Sequence, residues 1–352
     1  MPTPTIPQKS HLAAGMAKAS NWQEAVALGA NKGILINADG GVGSARNQPY
    51  LPAKEADHPM VKEGDLGDID AVDVNPEFTM RYDPGQLGTA IAALFGIAGT
   101  PQQQDTTAAW RHTFQWADNN FGKFVTFAVE YPGKILEIAT AKVYGLELNI
   151  AEGFLKGVLN LRGDTVIDDS TVNQAAQMDA LTYIDIENRI KAKHASVKMN
   201  AQSGGDVASE NALEVSGLNV KYSRSPDAEH VIGDQRIIEP VENESASLAT
   251  VHLDFPRFNS VNAAFFQDCF KNETEQKMLI AFTGETIEST YKYELFLYFP
   301  RLRMTKPLGS WEDVVKSGLD LVAEEAASNP TGMSYKRFYI ELQNKQTTDY
   351  LA

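Results

Sequence analysis

The sequence has little cysteine and no long apolar run. One cysteine, Cys269, stands among 352 residues, which excludes an intrachain disulfide, and its phenylalanine-rich surroundings favour a buried thiol over a nucleophile. No stretch of about 18 apolar residues occurs, and the first thirty residues lack the apolar core of a secretory signal. These absences predict a protein without a membrane span that is made in a cytoplasm.

Basic charge is also scarce. The chain has 31 Lys and Arg against 46 Asp and Glu, a formal net charge of −15. Proteins that grip nucleic acid use lysine and arginine to displace counterions from phosphates, so this balance argues against such a grip. The acidity is uneven, because residues 54–77 carry eight carboxylates and two lysines. We interpret that segment as a solvated loop.

Motifs for catalysis are missing as well. The Gly-rich run at residues 39–44 has no GK[ST] or GxGxxG continuation, and no GxSxG elbow occurs anywhere in the sequence. A glycosidase needs only two carboxylates about 5–10 Å apart, so the sequence neither supports nor removes that class. We predict no catalytic residue, no cofactor-binding residue and no enzyme activity.

Metal-binding motifs are missing too. The acidic run with Asp65, Asp68, Asp70 and Asp73 lacks the spacing of a calcium loop. The histidines are scattered, with no HxxxH or CxxC to complete a zinc site. We predict no metal site among the six histidines, which are His11, His58, His112, His194, His230 and His252.

Residues 110–164 supply the strongest positive signal. KFVTFAVEY, at residues 123–131, alternates with the two-residue period of a strand, Pro132 and Gly133 supply a turn, and residues 134–142 resume an extended pattern. Further alternating runs follow at residues 145–150 and 157–162. We therefore predict a hairpin and two more strands, preceded by a strand near residue 78 and a short apolar helix that Gly96 ends.

We divide the chain into three parts. Residues 1–74 are interpreted as an N-terminal arm with a little structure and the acidic loop. Residues 75–212 form a first β unit, which includes a long polar excursion at 164–205, and residues 213–352 form a second unit. Long excursions in compact proteins are often functional.

An internal repeat supports the two units. Residues 78–96 are echoed by 249–270 as strand, proline turn and small helix, TFAVEYPGKI parallels ELFLYFPRLR, and GLELNIAE parallels GLDLVAEE. The order is preserved at offsets near 170 residues, which favours duplication over chance similarity of short strands. Residues 311–327 also fit a helix, with Ser310 as its N-cap. The repeat favours a strand from Leu319 onward, which we predict to form a terminal hairpin with residues 335–342.

With these pieces assembled, the chain resembles the tail tube proteins of long-tailed bacteriophages over roughly residues 78–344. The resemblance is carried by ALFGIAGT, YPGKI, AKVYGLELNIAEG and YELFLYFPRLRMTKP in that order. It implies a mainly β fold, a β-sandwich or barrel with short flanking helices, whose inner sheet joins those of neighbouring copies around a channel. It also implies a location in the virion tail after synthesis in the bacterial host cytoplasm.

The partners implied are further copies of the chain, in rings that stack into a tube, together with tape measure, tail terminator and distal tail proteins. Viral DNA would pass through the lumen without sequence-specific binding. Two units per chain predict a trimeric ring where single-unit relatives need a hexamer, although six copies remain an alternative.

We further expect an acidic lumen, and an arm or excursion that bridges stacked rings. Two other classes stay open. One is a virion β-sandwich that binds a receptor or glycan, and the other is a carbohydrate-active enzyme.

Overall fold

The computed structural model describes residues 13–37, 44–46, 71–131, 134–184, 188–208, 211–227, 229, 232, 236–242, 248–256, 272–306 and 317–352. Strands account for 52% of these residues and helices for 7%. The prediction of a mainly β fold with few helices is therefore confirmed.

The described elements follow one another along the chain. The helices are α1 (Gln86–Phe95) and α2 (Ala175–Asp179), and a 3₁₀ turn lies at Ala192–His194. The strands are β1 (Ala13–Ala19), β2 (Gly33–Ile34), β3 (Ser44–Arg46), β4 (Val72–Val74), β5 (Glu77–Thr79), β6 (Gly96–Ala98), β7 (Gln102–Gln103), β8 (Trp110–Trp116), β9 (Phe124–Tyr131), β10 (Lys134–Ala151), β11 (Phe154–Gly163), β12 (Ala195–Ala201), β13 (Ala212–Leu213), β14 (Gly217–Ser223), β15 (Pro226–Asp227), β16 (Val241–Glu242), β17 (Leu248–Phe255), β18 (Gln276–Glu288), β19 (Tyr291–Lys306), β20 (Ser317–Ala323) and β21 (Tyr339–Asn344).

One long antiparallel sheet runs through the molecule, and we call it the long sheet. Its order is β3, then β4 and β5 sharing one position, then β11, β10, β14, β17, β20 and β19. β4 and β5 share a position because both pair with β11 in one continuous register. The long sheet thus has eight strand positions.

The two longest strands leave the long sheet at one end. The first part of β10 forms a hairpin with β9, which β1 extends, and the first part of β19 forms a hairpin with β18, which β12 extends. Register shifts interrupt both long strands, and such bulges let a strand bend from one sheet into another. On its other side, the first part of β19 continues through β21 to β8.

The same connectivity therefore occurs twice. In chain order, β1, β3, β4/β5, β9, β10 and β11 make the pairings that β12, β14, β17, β18, β19 and β20 make again. We call these sets the first unit (residues 13–163) and the second unit (residues 195–323). Between the units, β14 pairs with β10, so the four positions of one unit run directly into the four of the other.

Helix α1 fills the core of the first unit. Nine of its ten residues are buried, and Gly96 ends it in the left-handed conformation, with its N–H bonded to the carbonyl of Ala92. A left-handed residue at this point favours glycine, since a side chain would be strained there. Phe95 packs against Trp116 and Tyr222, so α1 joins β8 to β14. The predicted helix and its end at Gly96 are confirmed.

The structure adds a buried strand, β1, within the predicted N-terminal arm. β1 is almost entirely buried and pairs with β9 over seven residues. AAGMAKA gives no strand signal, because alanine and glycine are poor strand formers. Small residues are needed at this place, since a β-carbon on Gly15 would lie 2.8 Å from a Leu28 methyl group.

Two of the three matched sequence pairs are also corrected. TFAVEYPGKI spans the β9–β10 hairpin, whereas ELFLYFPRLR lies within the single strand β19. GLELNIAE begins in β10, and GLDLVAEE begins in β20, which corresponds to β11 and not to β10. Alternating strand sequences resemble one another, so their similarity does not identify equivalent strands. The repeat lies in the connectivity.

Of the two predictions for the C-terminal region, one is confirmed and one is wrong. Leu319 lies in β20, so the strand prediction is confirmed there. The terminal hairpin is wrong, because β21 pairs with β19 and β8 and not with β20. The Pro132–Gly133 turn, the helix expected near residues 258–270 and Cys269 lie outside the described residues.

Candidate functional surface

The long sheet has one buried face and one polar face. The buried face holds Leu146, Leu159, Val220, Leu253 and Leu321. The alternate positions of the same strands point the other way, in the pattern of a sheet with solvent on one side. We call this the polar face, and its polar side chains include Glu147, Asn149, Lys156, Asn160, Arg162, Asn219, Lys221, His252, Asp254, Arg301, Arg303, Asp320 and Glu324.

The arginines of the polar face are neutralised. Arg162 makes a two-pronged bond to Asp73 of β4, with Nε and Nη2 at 2.8 and 2.9 Å from the two carboxylate oxygens. Arg303 Nε lies 2.7 Å from Glu324, and Arg301 bonds Glu275. Since each guanidinium already has a carboxylate, little basic charge remains for a phosphate. Most of the positive charges on the polar face are thus paired with carboxylates.

His252 is the titratable centre of the second unit's part of the polar face. Its Nδ1 lies 2.6 Å from Asp320 and its Nε2 lies 3.1 Å from Asp254. Burial by itself would lower the pKa of His252, but the bonds to the two carboxylates outweigh it and raise the pKa above its usual value. The carboxylates lie on opposite sides of the ring, so they hold it without forming a common ligand set.

Both ends of the long sheet carry an edge without a strand partner among the described residues. At one end, β18 covers β19 only as far as Leu302, so residues 303–306 pair with β20 alone. At the other end, β3 pairs with β4 on one side. Unpaired strand edges present backbone N–H and C=O groups to any strand that can approach them.

The joint between the units is held by a buried arginine. Arg224 follows β14 and is 3% exposed. Its guanidinium donates to the carbonyl oxygens of Leu94 and Phe95 at the end of α1 and to that of Ala117, and it stacks 3.9 Å from the Trp116 ring. Glu242 supplies the counter-charge. One side chain thus satisfies helix-end carbonyls of the first unit and anchors β14 of the second unit.

A second buried cation lies next to the same joint. Lys142 of β10 donates to the carbonyl of Asn120 at 2.7 Å and pairs with Glu239. Burial lowers the pKa of Lys142, and Glu239 opposes that shift. Glu239 and Glu242 lie on one short segment, so two buried ion pairs fix residues 239–242 against β10 and β14. Ion pairs this deep are costly to break.

The residues that the sequence analysis weighed lie apart. Asp73 is the partner of Arg162, whereas Gly40, Gly41, Gly43, Asp65, Asp68 and Asp70 lie outside the described residues. His112 bonds the carbonyl of Gln346, and His194 bonds the hydroxyl of Tyr82. Burial lowers the pKa of both histidines. No group of three metal-binding side chains converges within the part of the chain that the structure describes.

A cleft of about 710 Å³ lies beside the beginning of α1. Asp83 and Asp349 line it together with Lys18, Lys32 and Lys345. Burial raises the pKa of Asp83, and bonds to the Lys345 backbone, Tyr293 and Asn188 oppose the rise. Asp83 is therefore engaged by the surrounding structure, which favours a packing role.

A comparison with models of known protein families gives no match, and a comparison with curated proteins gives none either. Among the described residues, no helix is both long and apolar enough to cross a membrane. The function is therefore argued from the architecture and its surfaces.

Sequence reasoning missed the joint. Arg224 and Glu242 are 18 residues apart, and Lys142 and Glu239 are 97 apart. No local pattern pairs residues at such separations. The open edges were missed for the same reason, since they are defined by which strands do not meet.

Proposed function

We propose that the chain is a structural subunit of a phage tail tube, which assembles through its own copies into stacked rings around a channel for DNA. The single observation that carries the proposal is the long sheet. Two units of the same connectivity join into eight continuous strand positions, with one face buried and the other polar. A sheet whose two end strands have edges without a partner among the described residues suits end-to-end assembly, because closure into a ring removes the edges.

The size of such a ring favours three copies. Three copies supply roughly 24 strand positions, and a spacing of about 4.8 Å gives a barrel about 37 Å across between backbones for upright strands, and wider with tilt. Polar side chains reduce that to a channel on the scale of a DNA duplex. Six copies would double the diameter. The double unit therefore supports a trimeric ring.

We place the polar face towards the channel. The sequence predicts an acidic lining, but this face balances its charges, so the proposal is refined to a lining of paired charges. The carboxylates beside the arginines offset their attraction for phosphates, so DNA slides past without sequence-specific binding. A lumen lined by unpaired lysine and arginine would contradict this.

The remaining partners follow from the role in the tail. A tube of this kind ends on a terminator and on a distal tail protein, and it encloses a tape measure. The virion tail is accordingly the location we propose, and the protein acts without catalysis.

Electron microscopy of the purified full-length protein tests the proposal. Rings or tubes with threefold symmetry of whole chains are expected. Sixfold rings of whole chains would overturn the trimer and keep the tube. Monomers that recognise a glycan would favour the receptor-binding class, and turnover of a polysaccharide that Asp83→Asn abolishes would favour the enzyme.

A further inference from the structure

We infer that the open edge of β19, residues 303–306, pairs antiparallel with β3 of a second copy of this chain. The inference rests on the proposed function and names the contact that closes the ring. It follows from the internal repeat, which contains the same junction once within the chain.

The junction within the chain shows what the open edge lacks. In the first unit, the edge of β10 that β9 covers is continued by β14, which pairs with residues 145–149. In the second unit, β18 takes the place of β9 along β19, and the position corresponding to β14 is not filled by any described strand. The edge of β19 therefore lacks one strand among the described residues. The position of β14 in the first unit shows where that strand would lie.

The repeat also identifies the strand that fits. β14 reaches β10 while it pairs on its other side with β17. In the first unit, β3 makes the equivalent pairing with β4, and its other edge is open among the described residues. Both copies of the unit precede this strand with an outer strand, β1 or β12. We therefore expect β3 of another copy to pair with β19 in the way that β14 pairs with β10.

The contact is heterologous, because the edge of β19 and the edge of β3 are different surfaces. Such contacts close into rings when each step repeats the same rotation. Here the rotation between neighbouring chains matches the rotation between the two units of one chain. The approximate symmetry of the ring is therefore of twice the order given by its number of chains.

The pleat narrows the register. β3 pairs Ala45 with Asp73, whose neighbours Val72 and Val74 are buried, which puts position 45 in register with the polar face. In β19, Leu302 and Met304 are buried while Arg303 and Thr305 are exposed. Strands that share one face must align positions of the same parity. Position 45 therefore lies opposite 303 or 305.

Disulfide trapping tests this pairing in the full-length chain. In a Cys269→Ala background, Ala45→Cys is combined with Arg303→Cys in one variant and with Thr305→Cys in another. Directly opposite positions of neighbouring antiparallel strands lie about 4.5–5.5 Å apart between β-carbons, within the reach of a disulfide after slight adjustment. Mild oxidation of assembled rings is expected to link one of the two variants into a ladder that ends at the ring number.

The matched control combines Ala45→Cys with Lys292→Cys, which lies near the opposite end of β19. It should show at most a tenth of the linkage, because the inferred contact holds that position far from β3. Each single-cysteine variant shows how much linkage arises from collisions.

The possible outcomes distinguish a failure of the β19–β3 contact from a failure of the proposed tube. Tubes that form while neither test pair exceeds the control overturn the β19–β3 contact and leave the tube standing. A parent protein that stays monomeric at all concentrations overturns both. Linkage within a chain, seen as a shifted monomer band, also overturns the contact between copies.

Discussion

The two units share a connectivity but differ at one edge. In the first unit, β10 is covered along its edge by β14, and in the second unit no described strand covers the equivalent edge of β19. Around the covered edge, charges are buried and paired, as Arg224 and Lys142 show, whereas the second unit's polar face carries exposed pairs around His252. The chain thus contains one such junction, between β10 and β14, and no described strand makes the equivalent junction at β19.

The largest expected effect concerns the buried ion pair of Arg224 at the junction between β10 and β14. Arg224→Met leaves Glu242 without a counter-charge and frees the carbonyls at the end of α1, so we expect the free energy of unfolding to fall by about 3–5 kcal/mol. Urea denaturation measures it. Arg303→Met, which removes a pair on the exposed face, should cost less than about 1 kcal/mol. Equal losses in the two variants would contradict the contrast.

A smaller effect, a gain in stability, is expected at another buried residue of the β10–β14 junction. The ring of Tyr222 in β14 packs against Phe95, but its hydroxyl has no hydrogen-bond partner among the described residues. A buried hydroxyl without a partner is destabilising, so Tyr222→Phe should stabilise the chain by about 1 kcal/mol in the same assay.

The matched control for Tyr222 is Tyr339→Phe. Tyr339 is equally buried, yet its hydroxyl accepts a bond from the Ser334 N–H at 3.0 Å, so its removal should destabilise. A loss of stability in Tyr222→Phe would mean that the hydroxyl is satisfied in solution.

The smallest effect belongs to the second unit and depends on pH. The two carboxylates raise the pKa of His252 in the folded chain above its value of about 6.5 in the unfolded chain. Its contribution to stability is therefore fully present below about pH 6.5 and is lost as pH rises through the folded pKa.

We expect the stability difference between the parent and His252→Gln to be larger at pH 5.5 than at pH 8.5, since glutamine keeps a donor but not the charge. Thermal unfolding at the two pH values measures it. Lys221→Gln, on the neighbouring strand, serves as the control for a general change in surface charge. A difference that does not vary with pH would show that the ring stays neutral.

Local signals in the sequence predicted local structure well. The apolar run before Gly96 defined α1, and the alternation on both sides of Pro132 defined the β9–β10 hairpin, because helix ends and tight turns are encoded by a few adjacent residues. β1 was missed, since its small residues are required by close packing against Leu28 and Leu181 and give no strand signal of their own. The partner of β21 was predicted wrongly because a terminal turn does not determine which strands meet.

By itself, the sequence determined the mainly β class, α1, the first hairpin and the excess of acid over base. Only the tertiary structure decided the pairing order, the true correspondence of the two units, the buried ion pairs of the joint and the open edges of β3 and β19. The physical reason is that a two-residue period specifies a strand and its buried face but carries no information about its neighbours. Neighbours are chosen by packing across the whole fold, where residues as distant as Lys142 and Glu239 come into contact.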